Sequence, residues 1–283
     1  MDERIFSELD KVLGDDNVID QIHANEVRAS SLPFCARQYV LHRAGPFEPV
    51  QDRNFFGDAC MGMGTALHTA AQRFLGHGGL LYGNWYCFNC EKLVAEHCRG
   101  PVVCGCGVEA TYQEYALSHP CGITAHPDGV VLELPDGTPY PALLEIKGTN
   151  GKRLSSMKEP IWRHSTFQAN FYLHLVNEVL GLGLDRIVMI YVDRGIPSHR
   201  RYFVVRPNRA VYDQTIRSIG EAKEKLRLRV LPERICATHQ DGKDLRCQYH
   251  QICFVPDEKL QRMLDASSGN PDESSVRPSC PET

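Results

Sequence analysis

In this chain one Asp is followed, seventeen residues later, by a Glu and a Lys that are two positions apart, and this spacing limits how the segment can fold. The stretch runs from Asp128-Gly129 through apolar Val130-Val131-Leu132, a turn at Pro135-Asp136-Gly137-Thr138 and apolar Ala142-Leu143-Leu144 to Glu145-Ile146-Lys147. Apolar runs on either side of an Asp-Gly turn predict a β-hairpin. Folding about that turn brings Asp128 opposite residues 145–147, and the two-residue period of a strand puts Glu145 and Lys147 on one face.

The groups at this end of the hairpin are those that metal-dependent cleavage of a phosphodiester requires. Charges at the end of an apolar run are costly unless they are paired or bound to a metal. Carboxylate and carbonyl oxygens, here from Asp128, Glu145 and Ile146, are the ligands that Mg²⁺ prefers. A bound metal polarises the phosphate and lowers the pKa of a water, while Lys147 positions that water and offsets the developing negative charge.

Three further motifs accompany the hairpin. They are Gly64-Thr65-Ala66-Leu67-His68, Tyr112-Gln113-Glu114-Tyr115 and Gln168-Ala169-Asn170-Phe171-Tyr172. In the last of these, Gln168 and Tyr172 share one helix face because they are four residues apart. In this order the motifs resemble the RecB-like branch of the PD-(D/E)xK, or restriction-endonuclease-like, nucleases. The resemblance covers most of residues 30–255, and its departure is a turn that reads His126-Pro127-Asp128-Gly129 where the family has Gly-x-Asp-Gly.

The resemblance implies a fold and a set of site residues. The fold is α/β, with a restriction-endonuclease-like core in which helices flank a mixed central sheet, and with a cysteine-rich zinc-binding insertion. The ligands for Mg²⁺ or Mn²⁺ are His68, Glu114, Asp128, Glu145 and the Ile146 carbonyl, and the imidazole favours Mn²⁺. The catalytic residues are Asp128, Glu145, Lys147, Gln168 and Tyr172, of which the last two orient Lys147 or the phosphate.

The resemblance also implies a cofactor near the two ends of the chain. Cys35, Cys236, Cys247 and Cys253 are placed like the four cysteines of the iron–sulfur members, among them the AddB-type and CRISPR-associated exonucleases. Four thiolates suit a [4Fe–4S] cluster, which would tie the ends together by closing a long loop. The spacing departs from the family because ten residues separate Cys236 from Cys247. Zinc is the alternative, since Cys236-x-x-His239 and Cys247-x-x-His250 also have ligand spacing.

A second group of cysteines has the spacing of a zinc ribbon. Cys87-Phe88-Asn89-Cys90 is followed after thirteen residues by Cys104-Gly105-Cys106-Gly107. In a chain with twelve cysteines and no secretion signal, such pairs indicate metal ligation rather than disulfides. Four thiolates leave no open position, so the expected zinc ion is structural. Because the second pair is a tight Cys-x-Cys, His97 or Cys98 is an alternative ligand.

The remaining pattern predicts how the chain is organised. Helices are expected at 64–75, 161–180 and 207–229, and strands at 112–118, 122–134, 140–147, 186–193 and 200–205. A helix, a three-stranded meander, a helix and a strand predict an α/β core with a mixed sheet. The expected parts are the N-terminal helical part of a nuclease domain (1–83), the zinc insertion (84–110), the nuclease core with the C-terminal cysteines (111–263) and a disordered tail (264–283).

The expected function is that of a phage-type, metal-dependent DNA exonuclease that acts on DNA ends or single strands in recombination or DNA processing. The alternatives are a structure- or site-specific endonuclease and a CRISPR-adaptation-type accessory nuclease or DNA-binding protein. A net charge of −4 confines any DNA path to local basic segments, which are Lys152-Arg153, 194–201 and 223–229. Without a signal peptide or an apolar span, no membrane partner and a cytosolic location, bacterial or phage-infected, are expected. A phosphate-binding helicase motif is missing, so the protein acts alone, as a homo-oligomer, or with a separate helicase or recombination partner.

Overall fold

The structure is a computed structural model that describes residues 27–28, 35–44, 47, 55–160, 163–238, 247 and 249–267, with only the backbone described at 27–28, 55–58 and 163–164. The helices are α1 (Ala36–Arg43), α2 (Phe55–His77), α3 (Gly151–Ser156), α4 (Arg163–Leu180), α5 (Arg209–Arg227) and α6 (Asp257–Ala266). The strands are β1 (Val27–Arg28), β2 (Tyr82–Cys87), β3 (Lys92–Arg99), β4 (Thr111–Gln113), β5 (Leu117–His119), β6 (Ile123–Ala125), β7 (Gly129–Glu133), β8 (Pro139–Thr149), β9 (Arg186–Asp193) and β10 (Arg200–Val205).

The central sheet has four strands in the order β10-β9-β8-β7. The β7–β8 pair is the predicted hairpin, and its register of Val130 opposite Leu143 closes about Asp136 and Gly137. Strand β8 pairs in parallel with β9, and β9 pairs antiparallel with β10. A parallel pair needs a crossover connection, which here runs through α3 and α4. The sheet is therefore mixed, as the order of elements predicts.

Helices cover both faces of this sheet, which explains why β8 is apolar without a break from Ala142 to Leu144. On one face, Phe171 and Leu175 of α4 pack against Leu143 in the main core. On the other face, Leu67 of α2 packs against Ile146 and its neighbours on β9. Strands buried on both faces have continuous apolar runs rather than an alternating pattern. The mixed α/β architecture that the sequence predicts is confirmed.

The segment before the hairpin differs from the predicted meander. Residues 112–118 do not form one strand, because β4 pairs with β2 in a separate sheet of order β3-β2-β4, whereas β5 joins a third sheet of order β1-β6-β5. The predicted strand 122–134 is likewise divided into β6 and β7 around His126 and Pro127. Proline has no N–H to donate to a ladder, which explains why pairing stops there.

A buried arginine joins α1 to the C-terminal part of the chain. Arg37 is 1% exposed, and its guanidinium donates to the carbonyl of Pro232 at 2.8 Å and to Asp257 Oδ1 at 2.7 Å. Burying that charge is tolerated because it is paired and hydrogen-bonded. Helix α6 extends to Ala266, so the first residues of the predicted tail are helical. Residues 268–283, like residues 1–26, lie outside the described part.

Candidate active site and cysteine clusters

The candidate active site lies at the edge of the central sheet where β7 begins. Asp128 immediately precedes β7, and the register of Gly129 opposite Leu144 continues to place it across from Glu145. Its Oδ2 accepts a hydrogen bond from the Ile146 backbone N–H at 2.6 Å. The carboxylate therefore replaces the ladder partner that Ile146 lacks beyond the end of β7. In an extended strand the carbonyl of a residue projects to the same side as its N–H, so the Ile146 carbonyl also faces this edge.

Glu145 and Lys147 share one face of β8, as the two-residue period predicts. Glu145 is fully buried, and the Lys147 ammonium forms an ion pair with its Oε1. Among the described residues, Glu145 Oε2 has no hydrogen-bond partner. A buried carboxylate oxygen without a partner is costly. This oxygen is the kind of ligand that a hard divalent cation takes, so Glu145 fits a metal site.

Helix α4 brings its two predicted residues to Lys147. The Lys147 ammonium donates to Gln168 Oε1 at 3.4 Å, and Gln168 Nε2 donates to the Tyr172 hydroxyl at 2.8 Å. Gln168 and Tyr172 lie four residues apart, and therefore on one face of the helix. Tyr172 is 4% exposed and packs in the main core. A rigid, buried ring thus fixes the amide that orients the lysine.

A second group of ligands meets on the other side of Asp128. His68, Glu114 and Asp128 offer ligand atoms that all lie within 4.8 Å of one another, and His68 Nδ1 lies 3.3 Å from Asp128 Oδ1. Glu114 belongs to the loop after β4, not to a strand. Glu145 is not in this tight group and is turned instead toward Lys147. The predicted ligands therefore meet as a set of three and a neighbouring carboxylate.

Gln72 belongs to this site and was missed from the sequence. Its Nε2 donates to Glu114 Oε1 at 2.6 Å and to the Asp128 backbone carbonyl at 2.8 Å. It therefore joins α2, the loop after β4 and the hairpin. The sequence held one signal for it, because Gln72 follows His68 by four residues and shares its helix face. A glutamine at that spacing has no motif of its own, so the signal was weak.

The charges of the site favour a bound cation. Burial raises the pKa of Glu145, and the nearby Asp128 charge raises it further against the opposing effect of Lys147. Burial also raises the pKa of Glu114. Burial alone lowers the pKa of Lys147, but the Glu145 and Asp128 carboxylates outweigh it and the net pKa is raised. Asp128 therefore lies close enough to both Glu114 and Glu145 for their charges to repel, and a divalent cation would relieve that repulsion.

The four cysteines of the predicted ribbon converge between β2, β3 and β4. Cys87 Sγ lies 3.7 Å from Cys106 Sγ, and Cys90 Sγ lies 3.8 Å from Cys104 Sγ. With Zn–S bonds of about 2.3 Å, a tetrahedral site has sulfurs about 3.8 Å apart, so the group fits one zinc ion. The Val108 backbone N–H lowers the pKa of Cys106, a contact that favours a thiolate.

The two alternative ligands of the ribbon point elsewhere. His97 stacks on Tyr115 with ring centroids 5.6 Å apart, and its Nδ1 lies 3.2 Å from the Tyr115 hydroxyl. Cys98 lies among the partly buried residues that pack on the core around Trp85. Neither is in the group of four. The geometry therefore selects Cys87, Cys90, Cys104 and Cys106.

The other four cysteines line one small cavity between α1 and the C-terminal segment. Cys35, Cys236, Cys247 and Cys253 face it, and Cys35 also caps α1 by accepting from the Gln38 backbone N–H at 3.4 Å. Within the described chain, the groups whose ligand atoms lie within 4.8 Å of one another do not include these cysteines. Burial raises the pKa of Cys247 to about 11. Because the four cysteines do not form such a group, their sulfurs are spread more widely than those of the ribbon.

The histidines of the zinc alternative are only partly described. His250 is 5% exposed, and its Nδ1 donates to the Cys247 carbonyl at 2.8 Å. His239 lies outside the described residues.

Among the described helices, none is both long and apolar enough to cross a membrane.

Comparison with known proteins finds similarity in shape only. No protein-family model matches the chain, and no curated protein matches it. Among solved structures, an alkaline exonuclease (LHK-Exo) from Laribacter hongkongensis is similar at 14% identity and a TM-score of 0.43, over 72% of this chain and 89% of that one. The same protein in complex with dAMP gives a TM-score of 0.40 at 14% identity over the same shares. The assignment of the site therefore rests on its own residues.

Proposed function

We propose that this protein is a divalent-metal-dependent DNA exonuclease that hydrolyses phosphodiester bonds at DNA ends or in single strands. The observation that carries the proposal is the convergence of Asp128, Glu145 and Lys147 at an open sheet edge, with His68 and Glu114 beside them. A structural role does not explain a buried carboxylate oxygen without a hydrogen-bond partner next to two further acids. Metal-assisted phosphodiester hydrolysis explains this oxygen, because a bound divalent cation would take it as a ligand.

Each residue has a distinct role in this proposal. His68, Glu114, Asp128, Glu145 and the Ile146 carbonyl hold Mg²⁺ or Mn²⁺. When bound, the metal supplies a nucleophilic water of lowered pKa and polarises the scissile phosphate. Lys147 lies beside Glu145 and donates to Gln168, so its ammonium is oriented to position the water and to offset charge on the phosphate. Gln72 positions Glu114 and Asp128.

The test is cleavage of end-labelled linear DNA and closed circular DNA by the purified protein. With Mg²⁺ or Mn²⁺ we expect linear DNA to be degraded from its ends and the circle to stay intact. Excess EDTA should abolish cleavage, because the carboxylates then lack the cation. Nicking of the circle at a rate similar to that of linear DNA would instead indicate an endonuclease. Equal cleavage with and without EDTA would contradict the metal-dependent mechanism.

We further propose a [4Fe–4S] cluster on Cys35, Cys236, Cys247 and Cys253, and a structural zinc ion on the ribbon. Thiolates around one zinc ion must lie about 3.8 Å apart, whereas a cluster places several atoms between its ligands. The wider spacing around the first cavity therefore favours the cluster there. In the ribbon, the sulfur distances of 3.7 and 3.8 Å favour zinc.

Protein purified without oxygen is expected to be brown and to absorb at roughly 400 nm, from iron–sulfide charge transfer. The Cys253→Ser variant should lose this band and its iron, while Cys60→Ser, a cysteine of α2 that does not line the cavity, should retain both. Iron analysis accompanies the spectrum. A colourless wild-type protein that carries two zinc ions per chain would show that the cavity binds zinc.

A further inference from the structure

Hydrogen bonds join two loops at the ends of β8 and β9, close to Lys147. The first leads from Thr149 into α3, and the second is the turn that joins β9 to β10. The Arg194 backbone N–H donates to the Thr149 carbonyl at 2.8 Å. The Arg201 guanidinium donates to the Met157 carbonyl at 2.6 Å and to the Ser155 carbonyl at 3.2 Å. The loops therefore form one connected rim that begins two residues beyond Lys147.

This rim carries an excess of positive charge, which we call the basic ledge and define as Lys152, Arg153, Arg194 and Arg200. Arg194 is half-buried, and the other three are exposed. Within the described chain, Lys152, Arg194 and Arg200 form no ion pair. The neighbouring Asp193 is buried, and its Oδ1 accepts from the Gly195 backbone N–H at 2.9 Å. Three of the four charges of the ledge, those of Lys152, Arg194 and Arg200, are thus left without an ion-pair partner among the described residues, in a chain of net charge −4.

The ledge lies next to the candidate active site. The stem of Arg194 lies on Gly148, where its Cγ is 3.1 Å from the position that a Cβ would occupy. Gly148 directly follows Lys147 and pairs with Val192, which in turn pairs with Arg200. Paired residues share a face, and neighbouring strands lie about 4.8 Å apart, so Arg200 starts roughly 10 Å from Gly148. Because side chains alternate along β8, Gly148 and the starting points of Arg194 and Arg200 lie on the opposite face of the sheet from Lys147. A polymer that reached Lys147 would therefore meet these guanidinium groups by passing round the end of β8 and β9.

The third basic segment of the sequence has a different character. In residues 223–229, Arg227 forms an ion pair with Glu224 at 2.6 Å. Arg229 donates to the backbone carbonyls of Leu264 and Ser267. These cations are occupied by contacts within the protein. Lys225, in the same segment, and Arg217, earlier on α5, are single exposed charges of the ordinary solvated kind.

We propose that the basic ledge binds the phosphate backbone of the DNA strand that enters the active site. The proposal rests on the function proposed above and adds where the substrate strand lies. Exposed Lys and Arg groups without ion-pair partners bind phosphates by releasing counterions, and this binding is independent of sequence and weakens with salt. Sequence-independent contacts suit an enzyme that moves along a strand as it degrades it.

The test measures binding of fluorescently labelled single-stranded DNA by anisotropy in EDTA, over a series of NaCl concentrations. The test variant is Lys152→Ala/Arg200→Ala, and the matched control is Arg217→Ala/Lys225→Ala, which removes the same charge from α5. On single-stranded DNA, each lost phosphate contact should reduce the slope of log affinity against log salt by about 0.7. We therefore expect a slope smaller by about 1.4 for the ledge variant, and an unchanged slope for the control.

Binding is measured without metal, so it is separate from cleavage. Equal slopes for the ledge and control variants would overturn the ledge, even if the wild-type protein degrades DNA. Absence of DNA binding by the wild-type protein at low salt would also overturn it. A reduced slope in the ledge variant of a protein that fails to cleave would support the ledge and contradict the exonuclease.

Discussion

Replacing Lys147 by methionine is expected to lower kcat for DNA cleavage by about 10²- to 10³-fold, the usual loss when one group that stabilises transition-state charge is removed. Methionine keeps an unbranched apolar stem, so only the ammonium is lost. That ammonium ion-pairs with Glu145 and donates to Gln168. The variant should still bind Mn²⁺ at least as tightly as the wild-type protein, because a positive charge beside the Glu145 and Asp128 carboxylates has gone.

Two other variants make this result specific. Asp128→Asn should lose cleavage together with Mn²⁺ affinity, because one ligand charge is removed while the amide oxygen can still accept from the Ile146 N–H. Lys225→Met, an equivalent change on the exposed face of α5, should keep full activity. Activity is followed on end-labelled DNA, metal binding by calorimetry and folding by circular dichroism. An active Lys147→Met protein, or one that loses Mn²⁺ affinity as Asp128→Asn does, would contradict the assigned role.

Loss of a ribbon cysteine is expected to destabilise the β3-β2-β4 sheet. Cys104→Ser should reduce the zinc content by one ion per chain and unfold the β3-β2-β4 sheet at a lower temperature than the rest. Structural zinc supplies about 10 to 16 kcal/mol of apparent folding free energy in isolated zinc fingers. Here the buried Trp85, edge-on to Tyr112 at 5.8 Å, supplies part of the stability, so partial unfolding is expected.

The effect should extend to the active site through one strand. β4 pairs with β2 and leads directly into Glu114, which Gln72 holds beside Asp128. Cys104→Ser should therefore weaken Mn²⁺ binding as well as zinc binding. Cys98→Ser is the control, because this cysteine belongs to the same sheet but not to the group of four. Full Mn²⁺ affinity in a zinc-free Cys104→Ser protein would separate the ribbon from the active site.

The hairpin and its charges were predictable because they follow from local rules. The turn at Asp136-Gly137 fixes the register, and the two-residue period then fixes the shared face of Glu145 and Lys147. The four-residue spacing of Gln168 and Tyr172 places both side chains on one face of their helix. The mixed α/β architecture follows from the order of elements. The roles assigned to these residues in catalysis stay predictions until cleavage is measured.

The remaining features depend on contacts between distant parts of the chain. The sequence predicted a single strand from 112 to 118. In the structure β4 pairs with β2, and packing around Trp85 stabilises this pairing. The role of Gln72 depends on where Glu114 falls, which no local pattern states. The sequence likewise does not decide whether Cys106, His97 or Cys98 completes the group of four. In the structure the Tyr115 hydroxyl holds His97 elsewhere.

The shared strand β4 also bears on how separable the cysteine-rich segment is. By sequence the segment looks like an independent module inserted at 84–110, with a boundary immediately before β4. Removing it at that boundary would take away β2 and leave Thr111–Gln113 as an unpaired edge, and exposed edges invite pairing with other chains. A relative that lacked the ribbon would need a different support for the acid at position 114. The cysteine-rich segment and the support of Glu114 are therefore not separable by a deletion at that boundary.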